Sequence, residues 1–470
     1  MPRNTPLTRL APLFALVTAA TLTVAGCSLS GDDSADATQV VVGYQSKTIN
    51  TVTAGTLLRA RGDLEKRLDE VTEKTGKHYK VRWEDYDTGA PITTGMIAGK
   101  IDIGSMGDYP LLINGSRADA NPATATSVLA VTGSSPRGSL NMVVAKPDSP
   151  ITSIRDLAGK RVSASVGSAG HGTLLAGLKQ AGIDATDVDI TNQQPQVGSS
   201  ALEAGKVDAL AQFVAWPGLL VFQNKARLVY DGAQLGVPTL HGTIARNAFT
   251  KGHPEVIDAF LKAQLDATKA LAADPLAASQ TVAKASGLPA EVVYLYNGPG
   301  GTDFNPALKP SLIAALNGDK AYLKSIGSFP NPVDLSTFVN DGPLRTAVTE
   351  TGGDYTALLN RAGGQSGSDS VSGEASGEVW YTGTETKKVS DATALLRLVQ
   401  SARASGAKIT AAYITDPVLG TRWFADHSIW LHDGATYQAF TTDDSARTYQ
   451  RSHPGAVVVS YDQALTEVKQ

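Results

Sequence analysis

The chain has 470 residues, of which 42% are hydrophobic and 18% charged, with a formal net charge of −4. That length allows two or three domains with cores of their own, and the composition excludes a disordered chain. The mild acidity and the lack of a dense basic run argue against nucleic acid or an acidic membrane surface as a partner. A single cysteine excludes an intramolecular disulfide.

The N-terminus, MPRNTPLTRL, carries Arg3 and Arg9 and leads into the apolar run APLFALVTAATLTVAG, which stops at Cys27. A positive start, a short apolar core and small residues before the break predict an export signal rather than a spanning helix. Val24-Ala25-Gly26-Cys27 resembles the lipobox of bacterial lipoproteins. The resemblance implies a signal peptide over 1–26, a lipidated Cys27, and a protein held at the outer face of the bacterial cytoplasmic membrane. An ordinary signal peptide with a chance cysteine is the plainer alternative. Residues 27–38 are small and polar, as a tether requires.

Folded sequence starts at Gln39-Val40-Val41-Val42-Gly43-Tyr44, a β-branched run that predicts a buried strand. Gly62 to Thr75 places Leu64, Leu68 and Val71 on one helical face. A strand (Tyr79 to Asp85), a helix (Ile92 to Ala98) and the short strand IDIGS follow. A second series runs through LNMVVAK, the strand Arg161 to Ser165, a helix ending at AGI, the strand Asp187 to Thr191, the helix Ser199 to Ala204 and KVDALAQF. Such alternation predicts an α/β fold with mainly parallel sheets. Beyond His253-Pro254 the chain turns helical, with Pro254 suited to a first helical position. Residues 356–377 are rich in glycine and serine and predict a linker. The stretch 378–470, with three of the five tryptophans, then reads as a separate small domain.

One segment, SVGSAGHGTLLAGL (165–178), looks at first like a nucleotide loop. From Gly167 it reads G-x-x-x-x-G, but Thr173-Leu174 stands where Lys and Ser or Thr would be needed, so ATP is a poor fit. There is no G-x-S-x-G elbow, no H-E-x-x-H and no histidine pair at ligand spacing.

Several stretches together resemble the solute-binding proteins of ABC importers, in the nitrate/sulfonate/taurine branch: Gly43-Tyr44-Gln45, GKIDIGSMGDYP (99–110), the run 148–183, ALEAGKVDALAQFVAWP (201–217), and HGTIARNAFTKGHPEVIDAFLKA (241–263). The resemblance implies a two-lobed type II periplasmic-binding fold with two interlobe crossovers over 39–355. Lobe one would comprise 39–140 and 243–355, and lobe two 141–242. It also implies a ligand between the lobes, delivered to a permease and its ATPase by a monomer that needs no cofactor. Catalysts of thiamine-precursor chemistry form a neighbouring branch that depends on an active-site cysteine. Here Cys27 belongs to the signal, so a binder rather than an enzyme is expected. A sensor or accessory protein using the same clamshell is the alternative.

In this frame each loop at a strand end becomes a candidate. Gln45 offers donors and an acceptor. Gly107 allows close approach, with Tyr109 beside it. Asp108 would either cap the following helix or accept from a ligand amine, as taurine but not nitrate would provide. Helix is expected from about Gly172-Thr173, so that Ser168, Gly170, His171 and Thr173 present hydroxyls and N–H groups at a helix N-terminus, an anion site. Charge-assisted bonds there, at about 1.5–3 kcal/mol each, reach micromolar binding after the cost of association, about −8 kcal/mol. His171 could donate to the anion, more strongly once protonated, or simply begin the helix. Trp216 could wall the cleft or fill the core, and Arg137 is the nominated counter-charge, with a plain loop arginine as the alternative.

The C-terminal stretch 411–465 resembles the NosL family of copper-binding lipoproteins through Asp416, Gly420, Trp423, Phe440 to Ala446 and Tyr461-Asp462. It has neither the methionine nor the cysteine that copper(I) would need, and His427, His432 and His453 lack ligand spacing. The resemblance therefore implies a small α+β fold and no metal.

Overall fold

A computed structural model describes residues 37–118, 121–361 and 376–469, and Thr38–Gln470 forms one compact unit. The expected signal peptide, Cys27 and most of the tether lie outside the described residues. No described helix is long and apolar enough to cross a membrane.

Two five-stranded sheets carry the described residues up to 361. One contains strands Thr38–Tyr44, Tyr79–Asp85, Ile103–Gly107, Thr126–Ser135 and Thr239–Arg246; the other contains Asn141–Ala145, Arg161–Ala164, Asp189–Asn192, Ala209–Phe213 and Arg227–Asp231. The sheets are mixed, not mainly parallel. In the first, Thr239–Arg246 lies antiparallel between Ile103–Gly107 and Thr126–Ser135. In the second, Asn141–Ala145 lies antiparallel between Ala209–Phe213 and Arg227–Asp231. Each of these inserted strands is the first to follow a crossover. A chain arriving from the other lobe enters its sheet from the opposite end, so it cannot run parallel to strands fed by local helices. The crossovers thus fall between Ser135 and Asn141 and between Asp231 and Thr239.

The local predictions differ from the structure mostly at element ends. The helix expected from Gly172-Thr173 starts three residues earlier, at Ala169, because the Ser168 hydroxyl caps it by accepting from the His171 N–H at 3.3 Å. The expected linker 356–377 also loses both its ends to regular structure. Tyr355–Asn360 is a helix capped by Asp354 and anchored by the buried Tyr355, whose hydroxyl donates to Asp341 at 2.9 Å. Gly377 opens a buried strand paired with Val389 and Ile414. Of that stretch, residues 362–375 lie outside the described residues.

The C-terminal segment adds an antiparallel four-stranded sheet (Gly377–Tyr381, Thr386–Val389, Ile409–Thr415, Arg422–Phe424) and an antiparallel three-stranded sheet (Ile429–Asp433, Thr436–Phe440, Val457–Val459). Helix Ala392–Ala404 packs Leu395, Leu396 and Val399 into a core with Val379, Trp430 and Tyr437. Aromatic side chains of the segment's four-stranded sheet also reach outward. Trp380, Tyr413, Trp423 and Phe424 belong to the same hydrophobic cluster as Leu220, Tyr294 and Tyr296 of the lobes. His432 stacks on Tyr437 and His453 on Tyr449, while His427 lies edge-on to Phe424.

Candidate functional site

Between the two lobes lies a cavity of about 170 Å³, lined on one side by Gln45, Thr88, Gly107, Arg117 and His241 and on the other by Ser165–Ala169, Asn192 and Phe213. It is smaller than sites for drug-sized ligands, roughly 300–1,000 Å³. Both walls are built from loops that follow strands, the position at which open α/β sheets bind ligands.

On the wall of lobe one, the inserted strand Thr239–Arg246 sets His241 opposite Gly107. A Cβ at Gly107 would stand 3.0 Å from His241 Nε2, so the glycine leaves room for the imidazole. Asn50 Nδ2 donates to His241 Nδ1 at 2.7 Å. The ring proton therefore sits on Nε2, the nitrogen that faces Gly107 and the cavity. Burial pushes the His241 pKa down to about 3, so this donor is neutral at ordinary pH. Gln45 is buried, with its amide nitrogen donating to Ser105 O at 3.0 Å.

Arg117 ends the helix Asp108–Ala118 and lines the cavity, and no carboxylate pairs with it among the described residues. It shares a helix face with Pro110 and Ile113, at spacings i, i+3 and i+7, and all three border the cavity.

On the wall of lobe two, Ser168 caps the helix Ala169–Gln180 and borders the cavity with Ala169. With the His171 N–H taken by Ser168, the N–H groups of Ala169 and Gly170 have no intrahelical acceptor, which leaves these donors and the positive end of the helix dipole at the edge of the space. Ser165 is held by donating to Gln193 O at 2.8 Å and accepting from Gln212 Nε2 at 3.0 Å.

Of the residues singled out from sequence, Gln45, Gly107 and Ser168 line this cavity. Asp108, Tyr109 and Thr173 line a different one, of about 520 Å³, bounded by both crossovers. Asp108 opens its helix, its carboxylate accepting from Tyr109 N–H at 2.9 Å, Thr239 Oγ1 at 2.5 Å and Leu240 N–H at 3.3 Å. Burial holds its pKa above the usual carboxylate value.

His171 does not border the smaller cavity. Its Nδ1 accepts from Gly167 N–H at 3.2 Å and lies 2.9 Å from the hydroxyl of Tyr322, in helix Pro310–Ser325 of lobe one. Burial pushes its pKa down to about 4, which keeps the ring neutral, and the ring joins the lobes through Tyr322. Gly170 is needed for packing, since a Cβ there would lie 2.7 Å from the Gln212 backbone. Arg137 turns its guanidinium to Val418 O at 3.1 Å and does not line the cavity, as a plain loop arginine would, whereas Arg117 does line it. Trp216 is buried with Lys47 Nζ 5.5 Å from its ring centroid, while Phe213, three residues earlier, lines the cavity.

The site rests on a fold seen elsewhere. Residues 87–278 match the family described as NMT1/THI5 like. The chain is 31% identical over 198 residues to the taurine-binding periplasmic protein of Escherichia coli (strain K12), a match spanning 42% of this chain and 58% of that protein's length. The solved alkanesulfonate-binding protein SsuA from Xanthomonas axonopodis pv. citri, bound to MOPS, superposes with a TM-score of 0.55 at 23% identity, covering 65% of this chain and 99% of that one. The periplasmic aliphatic sulphonate binding protein SsuA from Escherichia coli gives 0.51 at 23% identity, covering 64% and 96%. The lobes have the type II periplasmic-binding fold.

Proposed function

We propose that this chain is an exported solute-binding protein, lipid-anchored through Cys27, that captures a small sulfonate between its lobes and delivers it as a monomer to an ABC permease and its ATPase. The observation that carries the reading is the donor set around the cavity: the His241 Nε2–H, the N-terminus of helix Ala169–Gln180, and the unpaired Arg117. All are donors, and none faces a competing carboxylate in the lining. A sulfonate has three oxygens to share among them, and its short alkyl group meets Ile113 and Phe213. The relatives' names, which concern taurine and alkanesulfonates, support the same class.

The lining favours a plain alkanesulfonate over taurine. An ammonium group needs a carboxylate, and Asp108 spends its oxygens on Tyr109, Thr239 and Leu240.

Isothermal titration with ethanesulfonate, taurine, nitrate and a neutral sulfone tests this. Ethanesulfonate should bind at micromolar Kd, about −8 kcal/mol, and taurine at least tenfold more weakly. Arg117→Ala should cost about 1.5–3 kcal/mol, the value of a charge-assisted bond. Binding of the neutral sulfone with no binding of any anion would overturn the reading.

A further inference from the structure

The C-terminal segment lies across the hinge. Toward lobe one, Tyr413 Oη donates to Glu291 O at 2.9 Å and Arg422 donates to Pro299 O at 2.9 Å. The Arg422 guanidinium pairs with Glu378 at 2.9 Å, both side chains almost fully buried, and lies 4.2 Å and 4.8 Å from the ring centroids of Tyr413 and Tyr294. Tyr294 Oη in turn donates to Glu378 at 3.0 Å.

Toward lobe two the contacts are different in kind. Phe424 meets Phe222 with ring centroids 5.5 Å apart, and Asp443 pairs with Arg227 at 3.5 Å. The crossovers are engaged as well. Arg137, in the first, donates to Val418 O. Asp231, at the start of the second, is buried within electrostatic reach of Asp416 and Arg137.

We propose that this segment is a built-in clamp across the hinge, which restricts rotation of lobe two against lobe one. One body attached to both lobes and to a crossover makes any opening of the cleft slide an interface. The side that yields is lobe two's, because the ion pair there, Asp443 with Arg227, is partly exposed, whereas the pair on lobe one, Arg422 with Glu378, is desolvated between two tyrosine rings. The alkanesulfonate-binding relative is covered almost end to end while roughly a third of this chain is left over, so the added segment is not needed for the fold itself. The inference concerns the lobes' freedom and holds whatever ligand the cleft takes.

The test is the interlobe distance distribution by pulsed electron resonance, in the full chain carrying Cys27→Ser with spin labels at Asp87→Cys and Gln196→Cys, two exposed positions on opposite rims. No ligand is added. The clamped chain should show one narrow distribution. Phe222→Ala with Asp443→Arg, which weakens the hold on lobe two and leaves that on lobe one, should broaden it or shift it by more than about 2 Å, the scale of hinge rearrangements. Asp443→Arg alone, at a partly exposed pair, serves if the double variant does not fold, and should broaden the distribution in the same direction. A broad distribution in the unaltered segment, or identical distributions in the unaltered and released chains, would overturn the clamp.

Discussion

Acidification offers a sharp test of how His241 is held. The folded chain keeps this imidazole neutral, with its pKa pushed down to about 3 by burial, against the usual value of about 6.5 in the unfolded chain. Between those values the unfolded chain binds a proton that the folded chain refuses, so stability is full above pH 6.5 and falls as the pH drops. From pH 7.5 to pH 5.0 the loss assigned to His241 is about 2 kcal/mol, since pH 5.0 lies about 1.5 units below the unfolded pKa and one unit is 1.36 kcal/mol. Other groups titrate in the same window. Asp231, pushed up to about 7 chiefly by burial, contributes with the opposite sign, which is why a difference between two chains is the useful quantity. Urea unfolding of the unaltered chain and of His241→Gln, each at pH 7.5 and 5.0, isolates it. The unaltered chain should lose about 2 kcal/mol more than the variant over that range, with unchanged m-values. Parallel losses in the two chains would refute the argument that a buried neutral His241 faces the cleft.

The same neutrality predicts flat binding. Ethanesulfonate affinity should vary little between pH 5.5 and 8.5, because neither His241 nor His171 gains a proton there in the folded chain; titrations at four pH values check this. Tyr322→Phe removes the hydroxyl that joins His171 to lobe one and should lower stability by about 1 kcal/mol, read by denaturant midpoint, with affinity for the anion retained. Arg422→Ala leaves Glu378 buried without its cation. It should cost about 3–5 kcal/mol, seen as a large fall in Tm, whereas Arg117→Ala on the exposed cleft rim should leave the Tm nearly unchanged.

Much of the local structure was legible in the residues alone. Valines 40 to 42 form their strand, and Tyr79–Asp85 is the strand expected there. Pro254 opens the long helix to Ala273. Ser168 is a strong capping residue, and reading it as the cap would have started the helix at Ala169. The face shared by Pro110, Ile113 and Arg117 was also available, because it needs only helical spacing from a strand end. Arg137 lies in a crossover, where a loop arginine reads like a counter-charge, yet it turns to Val418.

What the order of residues determined by itself is the set of elements and the class of loop that ends each strand, because capping, β-branching and periodicity act between near neighbours. What only the tertiary structure decided is which side chains share a space. His241 reaches the cleft because a strand returning from lobe two is inserted antiparallel beside Gly107, more than a hundred residues away in the chain. His171, which looked like the ligand's histidine, is drawn instead to Tyr322 of the other lobe. The C-terminal segment reads as a piece apart, behind its glycine-rich approach, yet Tyr413, Trp423 and Phe424 bury themselves against Tyr294, Tyr296 and Phe222. Burial of aromatic area is non-directional, so no local pattern announces its partner; the packing of distant surfaces selects it.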